Sequence, residues 1–154
     1  MFAFFKKHRK KKSDWVLLNL DNSEFNFVGF CKAYYQGKHV IDLAEYSTIG
    51  NKFVISHFAS VLNDQLEVKF KGMGEPFLRY LAQQISLKYP HFTDIEIELH
   101  STITSVKECP KRLKSVRDAR ENLLRRIGAQ NITVKFVPEH KCYEVRGTWN
   151  QQNW

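Results

Sequence analysis

The chain has 154 residues, 43% of them hydrophobic and 14% aromatic, and a net charge of +8. That length suits one compact domain with a real core, and the composition excludes a disordered tail, a collagen-like chain and a low-complexity repeat. No apolar run approaches the roughly 18 residues of a membrane-spanning helix, so no transmembrane segment is expected.

The charge is concentrated. Lys6, Lys7, Arg9, Lys10, Lys11 and Lys12 form one run, and without them 18 of the 24 basic residues remain against 16 acidic ones. The reading is a basic arm over residues 1–13, expected to be flexible, ahead of a nearly neutral single domain over 14–154. Met1–Phe5 is apolar but precedes the charges, the reverse of a secretory signal, so a cytoplasmic protein is expected. Residues 6–12 either stay solvated or meet a polyanion or an anionic membrane surface. Cys31, Cys109 and Cys142 are odd in number and far apart. That spacing gives neither a disulfide framework nor a zinc site, and the expectation is reduced, buried or half-buried thiols with no metal.

In chain order, Trp15–Leu20 is a short apolar run ending in the turn signal Asp21–Asn22–Ser23. Phe25, Phe27, Val28, Phe30, Ala33 and Tyr34 follow with a spacing that fits either a strand pair or an irregular helix. Gln36–Gly37 is a turn, His39–Tyr46 a strand, and Ile49–Lys52 a hairpin turn. Phe53–Leu62 is a second strand, rich in β-branched and aromatic residues. Leu66–Val68 reads as a short extended piece.

The period then changes. Leu78, Leu81, Ala82, Ile85 and Tyr89 fall on one helical face, with Pro76 in the first turn and Pro90 as a stop. Asp94–His100 alternates, Ile95, Ile97 and Leu99 against Glu96, Glu98 and His100, as a half-buried strand does. A second helix over Pro110–Ile127 has the stripe Val116, Ala119, Leu123, Ile127, a possible Glu121–Arg125 pair and Gly128 as cap. Ile132–Val137 and Cys142–Trp149 form a closing hairpin. The order is that of an α+β (mixed α/β) domain built on one sheet.

The segment that carries chemistry is Leu66–Leu81, in which a Gly-x-Gly turn opens directly into an amphipathic helix. Helix N-termini carry unpaired N–H groups and about half a positive charge, and glycines let a phosphate approach the backbone closely. Lys69 and Lys71 flank the turn, and Val68 and Leu66 are candidates for an apolar channel beside it. A Walker loop and a Rossmann fingerprint are both excluded by their missing residues.

Lys69–Phe70–Lys71–Gly72–Met73–Gly74 resembles the acetyl-CoA-binding segment of the GCN5-related N-acetyltransferases (GNAT fold), whose pattern is Arg or Gln, two residues, Gly, any residue, then Gly or Ala. The strand Asp94–His100, the helix ending Leu124–Ala129 and the closing hairpin follow that family's order over about residues 38–148. The resemblance implies a central, mostly antiparallel sheet flanked by helices. It also implies an acyl-CoA-dependent N-acetyltransferase, acetyl-CoA held by Val68, Lys69, Phe70, Lys71, Gly72, Met73 and Gly74, and a small-molecule or protein amine as acceptor. The usual general-acid tyrosine position is Leu124, and the usual central-strand glutamate is nearest His57, which becomes the candidate base. The usual Val-x-Pro lead-in is Asn63–Asp64–Gln65–Leu66, and Asp21–Gly37 is short for the family's two helices.

Other candidates stand beside these. His100, Glu96, Glu98 and Tyr143 could act on a substrate or serve the sheet. Cys109 has no legible partner histidine. The alternatives to catalysis are a GNAT-like scaffold without chemistry and a binding module. Such a module would use the arm and the helix bearing Arg112, Arg117, Arg120, Arg125 and Arg126 to contact nucleic acid, an anionic membrane surface or a partner protein.

Overall fold

The computed structural model describes residues 13–60, 66–100 and 110–154, less the side chains at 43, 57–60, 100 and 110–112. The strands are β1 (Trp15–Asn19), β2 (Gly29–Tyr35), β3 (Lys38–Ile49), β4 (Lys52–Ser60), β5 (Asp94–His100), β6 (Gln130–Val137) and β7 (Cys142–Asn150). The helices are α1 (Gly74–Lys88) and α2 (Pro110–Ile127). The seven strands form one sheet in the order β1-β2-β3-β4-β5-β7-β6. Neighbours are antiparallel except β4 and β5, which are parallel.

Sequence dictates these elements locally. Gln36 and Gly37 both have positive φ, as a tight hairpin turn between right-twisted strands requires. Phe27 at φ 64° and Gly29 at φ 83° explain why the Phe-rich stretch fitted neither period. It is an irregular connection that seats Phe25 and Phe27 in the core, and only from Gly29 does it become a strand. Helix α2 ends on Gly128 at φ 82°, with Gly128 N–H donating to Arg125 O (3.1 Å) and Ala129 N–H to Leu124 O (3.0 Å). That is a Schellman cap, and glycine serves it because the left-handed region crowds a Cβ.

Topology puts both helices on one face. The β4–α1–β5 and β5–α2–β6 crossovers run the same way across the sheet, and right-handed crossovers in one direction land on one side. Arg126 of α2 donates to Glu75 Oε2 of α1 at 3.0 Å, which confirms the shared side. Cys31, Ala44, Tyr46, Phe53, Ile55, Ile95, Ile97, Leu99, Val145 and Trp149 line that face, and all are buried. Against them α1 seats Phe77, Leu78, Leu81, Ala82 and Ile85.

The stripe of α2 differs from the sequence reading. Ala119 is exposed, while Leu124 is fully buried with Leu123 and Ile127. A seat for Leu124 exists because Gly147 lies beneath it: a Cβ at Gly147 would stand 3.1 Å from Leu124 Cδ1.

Candidate functional site

The parallel pair β4–β5 holds only from Lys52 opposite Asp94 to Ile55 opposite Ile97. Beyond that point β4 follows β3, reaching Ser60 opposite Ile41. Strand β5 follows β7 instead, ending with His100 opposite Glu144. The facing edges of residues 56–60 and 98–100 therefore have no ladder partners among the described residues, and the two parallel strands part at their C-terminal ends. In α/β sheets such a parting is where ligands enter. Helix α1 returns from the end of β4 to the start of β5, so its N-terminus sits at this same end.

That N-terminus is open. Met73 is the N-cap and makes no side-chain capping bond. The first helical N–H with a partner is that of Phe77, which donates to Met73 O at 3.0 Å. Pro76 has no N–H, so Met73, Gly74 and Glu75 present three donors without partners among the described residues. Gly72 enters the turn at φ 67°, with nothing within 4 Å of the place a Cβ would take. The donor set and the vacant side-chain position suit a phosphate. Glu75 does not oppose one, because its carboxylate is held by Arg126 (3.0 Å) and Arg79 (3.3 Å). The Arg126 hydrogen bond, more than the Arg79 one, keeps the Glu75 carboxyl below the ordinary carboxylate range.

The approach to this turn corrects one expectation. The extended piece expected over Leu66–Val68 ends at Glu67, and Val68 instead opens a turn of 3-10 helix, Val68–Phe70, closed by Lys71 N–H donating to Val68 O at 3.1 Å. Leu66 and Phe70 point into the core, whereas Val68 is exposed. Leu66 and Val68 therefore lie in different environments and do not form one apolar wall. Lys69 and Lys71 are exposed, and Lys69 stands 3.5 Å from Glu67 and 4.9 Å from the centre of the Phe70 ring. An exposed pair of that kind is weak and leaves the ammonium available to an anion.

The remaining candidates scatter. His57 has its backbone in β4 where the strands part, and His100 ends β5; both side chains, like Cys109, lie outside the described residues. Glu96 accepts from Lys52 (2.9 Å) and Thr148 (3.1 Å) on the helix-free face, and Glu98 pairs with Arg146 at 3.4 Å. Tyr143 packs on Phe136 and under Arg117. Leu124 belongs to the core and offers no proton.

One residue was missed as an individual candidate. Arg120 lies one turn before Leu124 on the inward side of α2, and no hydrogen-bond or ion-pair partner holds it among the described residues. Burial pushes its pKa down, while the neighbouring Cys142 thiol opposes that shift. Cys142 opens β7 beyond the last residue of β5, so Arg120 stands at the end where the parallel strands part. The signal was an arginine in phase with Leu124, hidden by assigning the stripe to Ala119.

No protein-family model matches the chain, and no curated protein does. Among solved structures, the chain is similar to the ribosomal-protein-S18-alanine N-acetyltransferase of Escherichia coli. The TM-score is 0.51 at 11% identity, over 82% of this chain and 71% of that one. A structure described as a probable acetyltransferase aligns with a TM-score of 0.48 at 12% identity, over 81% of this chain and 63% of that one. The chain has the fold of the GCN5-related N-acetyltransferases, in a diverged form whose first two strands are joined by the helix-free connection 20–28.

Proposed function

We propose that this chain binds an acyl-coenzyme A at the parting of β4 and β5 and serves as an N-acetyltransferase. The observation that supports this most is the uncapped start of α1, where the N–H groups of Met73, Gly74 and Glu75 follow Gly72 beside strand edges that have no ladder partner among the described residues. Those N–H groups would hold the pyrophosphate, with Lys69 and Lys71 adding charge. The free edge of β4 would hold an extended amide-bearing arm by backbone hydrogen bonds. When bound, the cofactor supplies an acyl group activated as a thioester. His57, whose backbone lies in β4 at the parting, is the residue we propose as base, its neutral imidazole taking a proton from an incoming ammonium. Arg120 supplies fixed positive charge at the same end and would favour negative charge developing there.

A second reading has its own support. Leu124 buries a hydrocarbon where a proton donor is usual, which favours a scaffold that binds coenzyme A without turnover. The binding-module reading through α2 has less, because Arg117, Arg125 and Arg126 are engaged by Asp118, Glu121 and Glu75.

Calorimetric titration with coenzyme A tests the cradle. Gly74→Glu puts a carboxylate where the pyrophosphate would lie and should weaken binding at least about tenfold. Its fold should survive, because an acidic residue is favourable in a first helical turn. Absence of coenzyme A binding to the wild-type chain at millimolar ligand would remove the proposal. Binding without thioester turnover against any amine would select the scaffold.

A further inference from the structure

The two edges of the sheet are finished differently. Strand β1 is short, and the chain that follows it turns back along its outer side: Phe25 N–H donates to Leu17 O at 3.2 Å, and Leu18 bridges Glu24. Strand β6 is longer, Gln130–Val137, and among the described residues pairs only with β7. Its outer edge has no hydrogen-bonded partner among the described residues. Bare edges are usually blunted by charge, proline or a covering segment. Here Lys135 is the only charged residue in the strand, and Pro138 lies just past its end.

The side chains of β6 are also unusual for an edge. Ile132, Val134 and Phe136 alternate on the helix side, since Val134 stands opposite the buried Val145. Yet Val134 and Phe136 are 39% and 45% exposed. Thr133 and Lys135 occupy the other side. This pattern is symmetric about Val134.

We propose that β6 pairs antiparallel with β6 of a second copy of this chain, about a two-fold axis through Val134, to form a continuous sheet across a dimer. A two-fold axis perpendicular to the sheet keeps each residue on its own face. With the axis at Val134, Ile132 meets Phe136 of the second copy, Val134 meets its own counterpart, and Thr133 meets Lys135. Ile132, Val134 and Phe136, the three apolar residues of the helix side, all meet apolar residues, and Val137 near the end of the pairing meets Asn131. Moving the axis to Lys135 sets two ammonium groups directly opposite, which is unfavourable. Moving it to Thr133 sets Phe136 against Gln130. The sequence of the strand thus selects both the partner and the register. The flank of α2 beside β6 carries Arg117 and the Glu121–Arg125 pair, so both signs of charge are available where the second helix would approach.

Sedimentation equilibrium of the full chain over roughly 1–100 µM tests this. A concentration-dependent dimer is expected. Val134→Lys places two like charges across the axis and should weaken the dimer at least about tenfold. Val134 is exposed, so circular dichroism and the melting temperature should stay near wild type. In a Cys109→Ser background, Val134→Cys should cross-link to itself under mild oxidation. Lys135→Cys should cross-link only when mixed with Thr133→Cys, which reads the register. A monomer across the range would overturn the proposal. So would a dimer that Val134→Lys leaves intact and Val134→Cys does not cross-link.

Discussion

One face of the sheet carries Tyr46, Phe53, Ile95, Ile97 and Trp149 beneath two helices, all buried. The opposite face carries Lys52, Glu96, Thr148, Glu98, Arg146 and Glu144, joined in hydrogen bonds and ion pairs. The described residues place no helix there, and Lys52 and Arg146 remain about half exposed, at 46% and 49%. The same strands build both faces, so the difference lies in topology. Two crossovers in one direction cover one side, and a helix-free connection between β1 and β2 leaves the other to side-chain pairing. Apolar area removed from water stabilises the first face, whereas screened pairs of small net worth furnish the second.

Adjacent residues of β7 make the strongest test. Trp149 is fully buried, and its Nε1–H donates to Asn153 O at 3.0 Å. Trp149→Ala should lose about 3–5 kcal/mol in urea unfolding. Its neighbour Thr148 faces the other way and donates to Glu96 at 3.1 Å. Thr148→Ala should lose about 1 kcal/mol or less. Equal losses would mean that the polar face carries as much of the stability as the packed one.

This contrast was partly legible in the sequence. The alternation in Asp94–His100 named both faces correctly over residues 95–99, because a half-buried strand has period two. Helix α1 was legible for the same reason at period 3.6, since its seat is a flat apolar sheet. Helix α2 was found at its full length but rotated. Its seat is shaped by Gly147, a tertiary neighbour distant in sequence, and this admits Leu124 while Ala119 faces solvent. The Phe25–Tyr34 stretch stayed ambiguous because left-handed residues break both periods. The Gly-x-Gly turn was legible because its conformation depends on backbone, Gly72 taking a positive φ. The anchoring of Glu75 by two arginines was not, since Arg126 lies far along the chain. Nor was the opening beside the turn, which arises where a parallel ladder stops.

The rim between the two helices gives a middle-sized effect with a pH signature. Glu75 is 29% exposed and accepts from Arg126 and Arg79. Its carboxyl titrates below the ordinary value when folded. The contribution is therefore present above the unfolded carboxylate pKa and lost as pH falls through the lowered folded one. Glu75→Gln should cost about 1 kcal/mol or less at neutral pH, since the pairs are partly solvated. The gap between the two proteins in urea midpoint should begin to close as pH falls past the ordinary carboxylate value and be gone once pH has passed the lowered folded one. A gap that persists in acid would show that shape, not charge, fastens α1 to α2.

The smallest effect concerns a polar atom buried on the packed face. Tyr46 is 1% exposed, and its hydroxyl is buried with no oxygen or nitrogen partner among the described residues. Its polar neighbour is the Cys31 thiol, which burial pushes up to about 12, and burial also holds Tyr46 well above its ordinary value. Neither group ionises in the working range, so the pair carries no charge. The ring is held by Phe25 at 5.1 Å and Phe53 at 5.6 Å, contacts that phenylalanine would keep. Tyr46→Phe removes a desolvated hydroxyl and little else. Stability should stay level or rise by up to about 1 kcal/mol, the opposite sign from most core substitutions. Cys31 should remain unreactive toward thiol reagents in both native proteins, because its protection comes from burial rather than from the hydroxyl. A loss above about 2 kcal/mol would show that the hydroxyl is strongly bonded in solution. The packed face would then depend on a buried polar contact as the open face does, and the division between them would be one of degree.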